Sequence, residues 1–208
     1  MPIDLSWTCE SGAQISRWHI TESIDALSQK YKELGGDWAK IVELGGHVRH
    51  KLAARILIGQ AFPNHSIVYG SDGKPLLSPF SAHINHSHAG DYAILAVHPR
   101  HAMGIDIEET RPQLHKIYPR FCNDKEQEWL GPNPSILHLL LIWSAKESLY
   151  KAIGKKKTDF KAHLLVYPFD VKNKGFFEAE IILPDLHKIC KIYYQCWETY
   201  VAVWTCLG

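Results

Sequence analysis

The chain has 208 residues, 46% of them apolar and 22% charged, with 23 Lys+Arg against 22 Asp+Glu for a formal net charge of +1. That length suits one large domain or two small ones with a real core. The near-neutral balance excludes a bulk nucleic-acid binder, which carries a basic excess. Cys9, Cys122, Cys190, Cys196 and Cys206 are odd in number and contain no CxxC pair. They read as reduced, mostly buried thiols of a cytoplasmic protein, with spacings that give zinc little to bind. The first ten residues lack a basic stretch followed by an apolar run, so no secretory leader is expected. No membrane span is expected either, since the longest apolar run, at 136–143, is short and interrupted by His138.

In chain order, short strands are expected at 3–8 and 13–20, then a helix over 22–34. A second helix is expected over 47–58 after a break at Gly45-Gly46. The Gly/Pro/Ser-rich stretch 69–75 reads as loop. Strands follow at 82–85, 91–97 and 103–108. Beyond Pro112 the pattern turns helical, with Asn123 or Asp124 as N-cap before 125–130 and a long helix over about 135–153. Strands return at 176–183, 188–197 and 199–205. Residues 91–97 resemble 199–204, which hints at duplication, although short alternating strands look alike for packing reasons alone. Together these elements predict an α+β fold of two pseudo-symmetric lobes, each a small antiparallel sheet packed on a long helix. The division falls at 1–100 and 101–208, and clefts between lobes favour ligands.

The chemistry concentrates in two segments. In Met103–Glu108, Asp106 and Glu108 share one face of a strand while Ile105 and Ile107 point the other way. In the helix over 135–153, Ile142, Ala145, Leu149, Ala152 and Ile153 fall on one arc, and Ser144, Glu147 and Lys151 on the opposite one. Each segment alone has a plain explanation: an acidic edge strand, or a solvated Glu–Lys pair contributing about 0.2–0.5 kcal/mol. Together, three carboxylates without metal-spaced Cys or His suit a hard cation such as Mg²⁺, and the adjacent lysines suit phosphate. Upstream, His88 follows Ser87 at a strand end and can donate to phosphate. Lys74 is a cation in a tight turn, explicable as loop solubility, and Trp143 reads as packing. His83, His86 and His88 share a strand and give a second, weaker metal possibility.

The chain resembles the 4′-phosphopantetheinyl transferases of the larger, surfactin-synthetase type. Gly73-Lys74-Pro75 and Ile84-Asn85-His86-Ser87-His88 are similar to that family's GKP and FN-x-SH blocks. Gly104-Ile105-Asp106-Ile107-Glu108 is similar to its GIDIE block, and Trp143-Ser144-Ala145-Lys146-Glu147-Ser148-Leu149-Tyr150-Lys151 to its W-S-x-K-E-S-x-x-K block. Arg120-Phe121 matches an RF element between them. Ile84 and Ala89 depart from the family's usual Phe and hydroxyl residue.

The resemblance implies an α+β two-lobed monomer that moves the phosphopantetheine arm of coenzyme A onto a serine of an apo acyl or peptidyl carrier protein, releasing adenosine 3′,5′-bisphosphate. It implies Mg²⁺ held by Asp106, Glu108 and Glu147, with Glu147 as general base and Lys151 stabilising the leaving charge. Lys74, Ser87, His88 and Lys146 would bind the nucleotide and its phosphates, His88 at the 3′-phosphate, with Arg49 a further candidate. A patch around Arg120 and Phe121 would receive the carrier. Two rivals remain at this stage: another Mg²⁺-dependent phosphodiester-cleaving enzyme, and an idle module that binds coenzyme A or a carrier.

Overall fold

The computed structural model describes residues 3–43, 46–70, 73–155 and 157–208. β1 (Leu5–Thr8) and β2 (Gln14–His19) are followed by α1 (Ile24–Glu33), α2 (Trp38–Glu43) and α3 (Val48–Ala61). Five strands follow: β3 (Ser66–Tyr69), β4 (Pro75–Ser78), β5 (His83–Ala89), β6 (Tyr92–His98) and β7 (Met103–Glu109). Next come α4 (Leu114–Ile117), a 3-10 turn (Tyr118–Arg120), α5 (Asp124–Leu130), α6 (Ile136–Ile153) and α7 (Phe160–His163). The chain closes with β8 (Leu164–Val166), β9 (Lys174–Leu183), β10 (Leu186–Trp197) and β11 (Tyr200–Cys206).

Sequence chemistry sets the helix ends. Ser23 caps α1, Asn123 and Glu126 form a capping box on α5, and Ser135 opens α6 by accepting from the His138 N–H. These side chains satisfy N–H groups that a helix start leaves without partners. Gly154 closes α6 in the left-handed conformation that glycine adopts without strain.

The strands form a four-stranded sheet ordered β1-β2-β6-β5, a five-stranded sheet ordered β7-β11-β10-β9-β8, and the β3-β4 hairpin. Every described pairing is antiparallel. The fold is α+β. One apolar cluster joins α3 (Leu52, Ile56) to one face of the first sheet (Trp18, Leu95), and another joins α6 (Leu141, Leu149) to the second sheet (Ile192, Val203). A third, with Ile15, Ile94, Ile105, Ile107 and Trp204, joins the remaining faces of the two sheets. The alternation in β7 is therefore used on both sides: Ile105 and Ile107 meet the first sheet, while Gly104 and Asp106 turn toward α6.

Gly104 fixes that last contact. A Cβ there would lie 1.7 Å from the Ser148 carbonyl oxygen and 2.9 Å from the Ala152 nitrogen. Only glycine lets α6 lie directly on β7, and the Ser148 hydroxyl seals the junction by donating to the Val203 carbonyl at 2.8 Å.

Some expectations are corrected. The stretch 69–75 is a hairpin turn rather than free loop: Tyr69 pairs with Pro75, and the Gly70 N–H donates to the Lys74 carbonyl at 3.0 Å. Ser71 and Asp72 of that stretch lie outside the described residues, as does Gly45 of the expected break. β5 runs on to Ala89 because its polar residues face the site rather than ending the strand. α2 and the β3-β4 strands carry periods too short to read from sequence.

Candidate functional site

The two acidic segments meet where α6 crosses β7. The Lys151 ammonium donates to Asp106 Oδ1 at 2.7 Å, to Ser87 Oγ at 3.0 Å and to the Ile105 carbonyl at 3.1 Å. Ser87 in turn donates to Asp106 Oδ1 at 2.9 Å. One cation thus gathers β5, β7 and α6. Asp106 is only 4% exposed, and its Oδ2 is buried with no hydrogen-bond partner among the described residues. A buried carboxylate oxygen left open is costly unless a ligand takes it.

Glu108 is held on both oxygens, accepting from Trp143 Nε1 at 3.1 Å and from the Arg111 guanidinium at 2.8 Å. Burial, then the charge on Asp106, raises its carboxyl above the ordinary range. Burial first, then Asp106 and Glu108, pushes Glu147 up to about 7, with Lys151 opposing. Asp106 raises both Glu108 and Glu147, so the three carboxylates lie close together, and their hard oxygen donors are of the kind that suits Mg²⁺. Among the described residues, no three His, Cys, Asp or Glu side chains are already gathered into a ligand shell. In this arrangement Lys151 and Arg111 supply the compensating positive charge.

Next to Lys151 lies a cavity of about 210 Å³ lined by Gly73, Lys74, Pro75, Asn85, His86 and Tyr150. The β3-β4 hairpin carries Lys74 there, and its ammonium donates to the Ala152 carbonyl at 2.6 Å. Asn85 accepts from the Ile105 N–H at 3.2 Å, which locks β5 to β7. His88, farther along β5, is exposed and stacks on His50 of α3 with ring centroids 4.2 Å apart. Asp106, Glu108, Glu147, Lys151, Ser87 and Lys74 are therefore neighbours, with His88 at the outer end.

Three of the expected residues are engaged elsewhere in the structure. Lys146 is 0% exposed, on a different side of α6 from Glu147, and cannot reach a phosphate. Its ammonium donates to Glu126 at 2.7 Å and to the Phe121 and Phe160 carbonyls at 2.7 and 3.0 Å. Burial lowers its pKa, with Glu126 opposing. Arg49, expected as a nucleotide-binding candidate, donates to Asp91 and to the Ile20 carbonyl, tying α3 to the β5-β6 turn. Phe121 is buried against Trp143 with centroids 5.2 Å apart, so it offers no surface to a partner. The weaker histidine-metal possibility also lapses, because His83 packs edge-on against Phe80 while His88 stacks on His50.

Sequence reasoning gave no site role to Asn85 or His50, read Trp143 as packing and took His86 only as a weak metal ligand. Trp143, Glu147 and Lys151 recur at i, i+4 and i+8 on one face of α6, a stripe the helical wheel could have exposed. Asn85 alternates with Ser87 on β5 in the same way. His50 had no signal, since it reaches His88 only through tertiary packing.

Comparison with known proteins shows what the chain resembles. Residues 102–202 match the family model described as the 4′-phosphopantetheinyl transferase superfamily. The C-terminal half of the chain is similar to that superfamily. It is 35% identical over 98 residues to 4′-phosphopantetheinyl transferase gsp of Aneurinibacillus migulanus, covering 45% of this chain and 40% of that protein. It is 33% identical over 124 residues to 4′-phosphopantetheinyl transferase Sfp of Bacillus subtilis (strain 168), covering 58% and 53%. It is 30% identical over 110 residues to 4′-phosphopantetheinyl transferase AcpT of Escherichia coli (strain K12), covering 50% and 56%. The matches thus span about half the length of these relatives. No helix among the described residues is long and apolar enough to cross a membrane.

Proposed function

We propose that the protein is a holo-carrier-protein synthase of the larger, surfactin-synthetase type, acting as a cytoplasmic monomer. It would transfer the 4′-phosphopantetheine arm of coenzyme A to a serine of an apo acyl or peptidyl carrier protein and release adenosine 3′,5′-bisphosphate. Residues 1–100 form the nucleotide side of this reading, and 101–208 carry the acidic motifs. The observation that carries it is the junction of Lys151, Ser87 and Asp106, with an open buried oxygen on Asp106 and, beside it, Glu147, whose carboxyl burial pushes up to about 7.

Asp106, Glu108 and Glu147 would hold Mg²⁺, which when bound would neutralise charge on the pyrophosphate oxygens of coenzyme A. The remaining chemistry belongs to the chain. Glu147, poised near 7, takes the proton from the serine hydroxyl as it attacks phosphorus. Lys151 keeps a fixed positive charge where the leaving bisphosphate gains negative charge. Lys74 at the cavity and His88 at the outer end of β5 hold the nucleotide, and Ser87 orients Lys151. Trp143 fixes the rotamer of Glu108. The carrier's serine would approach over the 380 Å³ pocket beside Glu108, floored by Leu114, Ile117 and Leu140 and flanked by Trp143.

The test is turnover. With Mg²⁺ and coenzyme A, adenosine 3′,5′-bisphosphate should appear only when an apo carrier protein is present. Release without a carrier, or cleavage of simple phosphodiesters, would favour a hydrolase. Binding of coenzyme A with no turnover on any carrier would favour a module without activity.

A further inference from the structure

We infer that Cys9 and Cys206 form a dithiol site that a small-molecule disulfide oxidises to an intramolecular disulfide, latching the first sheet to the last strand of the second.

The two thiols meet on one atom. Cys9 lies in the turn from β1 to β2, where its Sγ is 3.0 Å from Ser11 Oγ and donates to the Ala13 carbonyl at 3.2 Å. Cys206 ends β11, and its Sγ donates to the same Ser11 Oγ at 3.3 Å. Both are free thiols, each half-buried, and both pack on the apolar cluster between the two sheets. The other cysteines are placed differently. Cys122 and Cys190 are buried in the core around α6, and Cys196 donates to the Lys172 carbonyl at 3.7 Å.

The turn that carries Cys9 is itself held. His98 Nδ1 accepts from the Arg100 and His101 N–H groups, so its Nε2 carries the hydrogen and donates to the Ser11 carbonyl at 2.9 Å. Glu10 accepts from Lys191 of β10 at 2.9 Å. Fixed elements rather than a free loop therefore present Cys9 to Cys206. Turning both Sγ atoms off the Ser11 hydroxyl and toward each other closes the gap to the bonded separation of about 2 Å.

The order of reaction follows from exposure. Burial holds the Cys206 thiol above its ordinary range, with Ser11 opposing, which makes it a poor first nucleophile. Cys9, flanked by the exposed Thr8 and Glu10, attacks first. Its thiolate displaces one thiol from the incoming disulfide and forms a mixed disulfide. Cys206 then gives its proton to water and attacks the Cys9 sulfur, releasing the second thiol. The two protein thiols lose two electrons and two protons, and the small disulfide leaves as two thiols. Ser11 and Cys206 line a cavity of about 270 Å³, which admits the reagent without unfolding.

The bond would close a loop from residue 9 to residue 206, nearly the whole chain. In the chain-entropy picture such a loop restrains the unfolded state more than a local bridge does. Cys206 also pairs with Met103 at the start of β7. The latch thus fixes the first sheet against the strand that carries Asp106 and Glu108.

The experiment equilibrates the full chain with glutathione at a series of disulfide-to-thiol ratios. Samples are quenched by alkylation and digested for mass spectrometry without reduction. A peptide pair joined through Cys9 and Cys206 should appear, lighter than the reduced pair by the lost hydrogens. The melting temperature should rise with it and return on adding dithiothreitol. In urea the same cross-link should need a ratio higher by about tenfold or more, because the bond and the fold stabilise one another equally. Cys9→Ala and Cys206→Ser should each abolish both the cross-link and the shift, whereas Cys196→Ser should leave both unchanged. Glutathione retained on Cys9 without the cross-link, a cross-link that forms as readily in urea, or a shift that persists in C206S overturns the inference.

Discussion

Gly104 and Ser148 touch so closely that a single added methyl would stand 1.7 Å from a backbone oxygen. This contact sets the height of α6 above β7, and through it the positions of Glu147 and Lys151 relative to Asp106. Gly104→Ala should therefore act on the site as well as on the fold. Overpacking of this kind costs about 3 kcal/mol. Chemical denaturation should show that loss, and transferase activity should fall further than the unfolded fraction accounts for. A variant as stable as the parent would contradict the contact.

Removing Asp106 tests the junction itself. Asp106→Ala leaves Lys151 and Ser87 without their shared acceptor and removes the open oxygen. Turnover should fall by about a hundredfold or more, the scale of losing one preorganised electrostatic partner. The far-ultraviolet circular dichroism should stay unchanged. Full activity in D106A would exclude the site.

Glu147 gives a prediction of opposite sign for stability. Its folded pKa, about 7, lies above the ordinary carboxylate value of 4.5, so the folded chain binds more protons between those limits. Stability should then fall as pH rises from about 4.5 to 7. Glu147→Gln removes that repulsion. At pH 8 it should stabilise the protein by about 1–2 kcal/mol, after discounting for solvent screening, while abolishing transfer. Urea melts at pH 5 and pH 8 distinguish this from a neutral substitution.

His86 of β5 acts on the acid side. It is held down to about 4, chiefly by burial, against an ordinary 6.5. The unfolded chain binds this proton first, so the contribution is fully present above pH 6.5 and is lost as pH falls toward 4. His86→Asn should shrink the decline in melting temperature over that window.

Much of this was legible in the sequence, and the reasons are physical. Asp106 and Glu108 alternate on a strand, and Glu147 and Lys151 recur one helical turn apart, so local geometry alone put each pair on one face. Joining the two pairs needed only the packing of α6 on β7. Lys146 misled because adjacent helical residues point about 100° apart. Being next to Glu147 in sequence placed its ammonium in the core beside Glu126, a partner 20 residues away. His50 was invisible for the converse reason: its partner His88 lies on another element. The β3-β4 hairpin read as loop because each strand is only four residues long, too short to show a period beside a Gly-rich turn.

The buried pair of Lys146 and Glu126 offers a structural control. Lys146→Met strands a carboxylate that also accepts from the Asn123 and Val166 N–H groups at 2.7 Å each. Breaking one partner of such a pair costs about 3–5 kcal/mol. Thermal unfolding should show it, and the fraction that remains folded should keep its affinity for coenzyme A.

The central claim is tested most directly by mass spectrometry of apo carrier proteins incubated with this protein, Mg²⁺ and coenzyme A. The account expects one carrier serine to gain the mass of a single phosphopantetheine arm, and expects no gain with Glu147→Ala. An unmodified carrier across acyl and peptidyl types, or an equal gain with E147A, would contradict it.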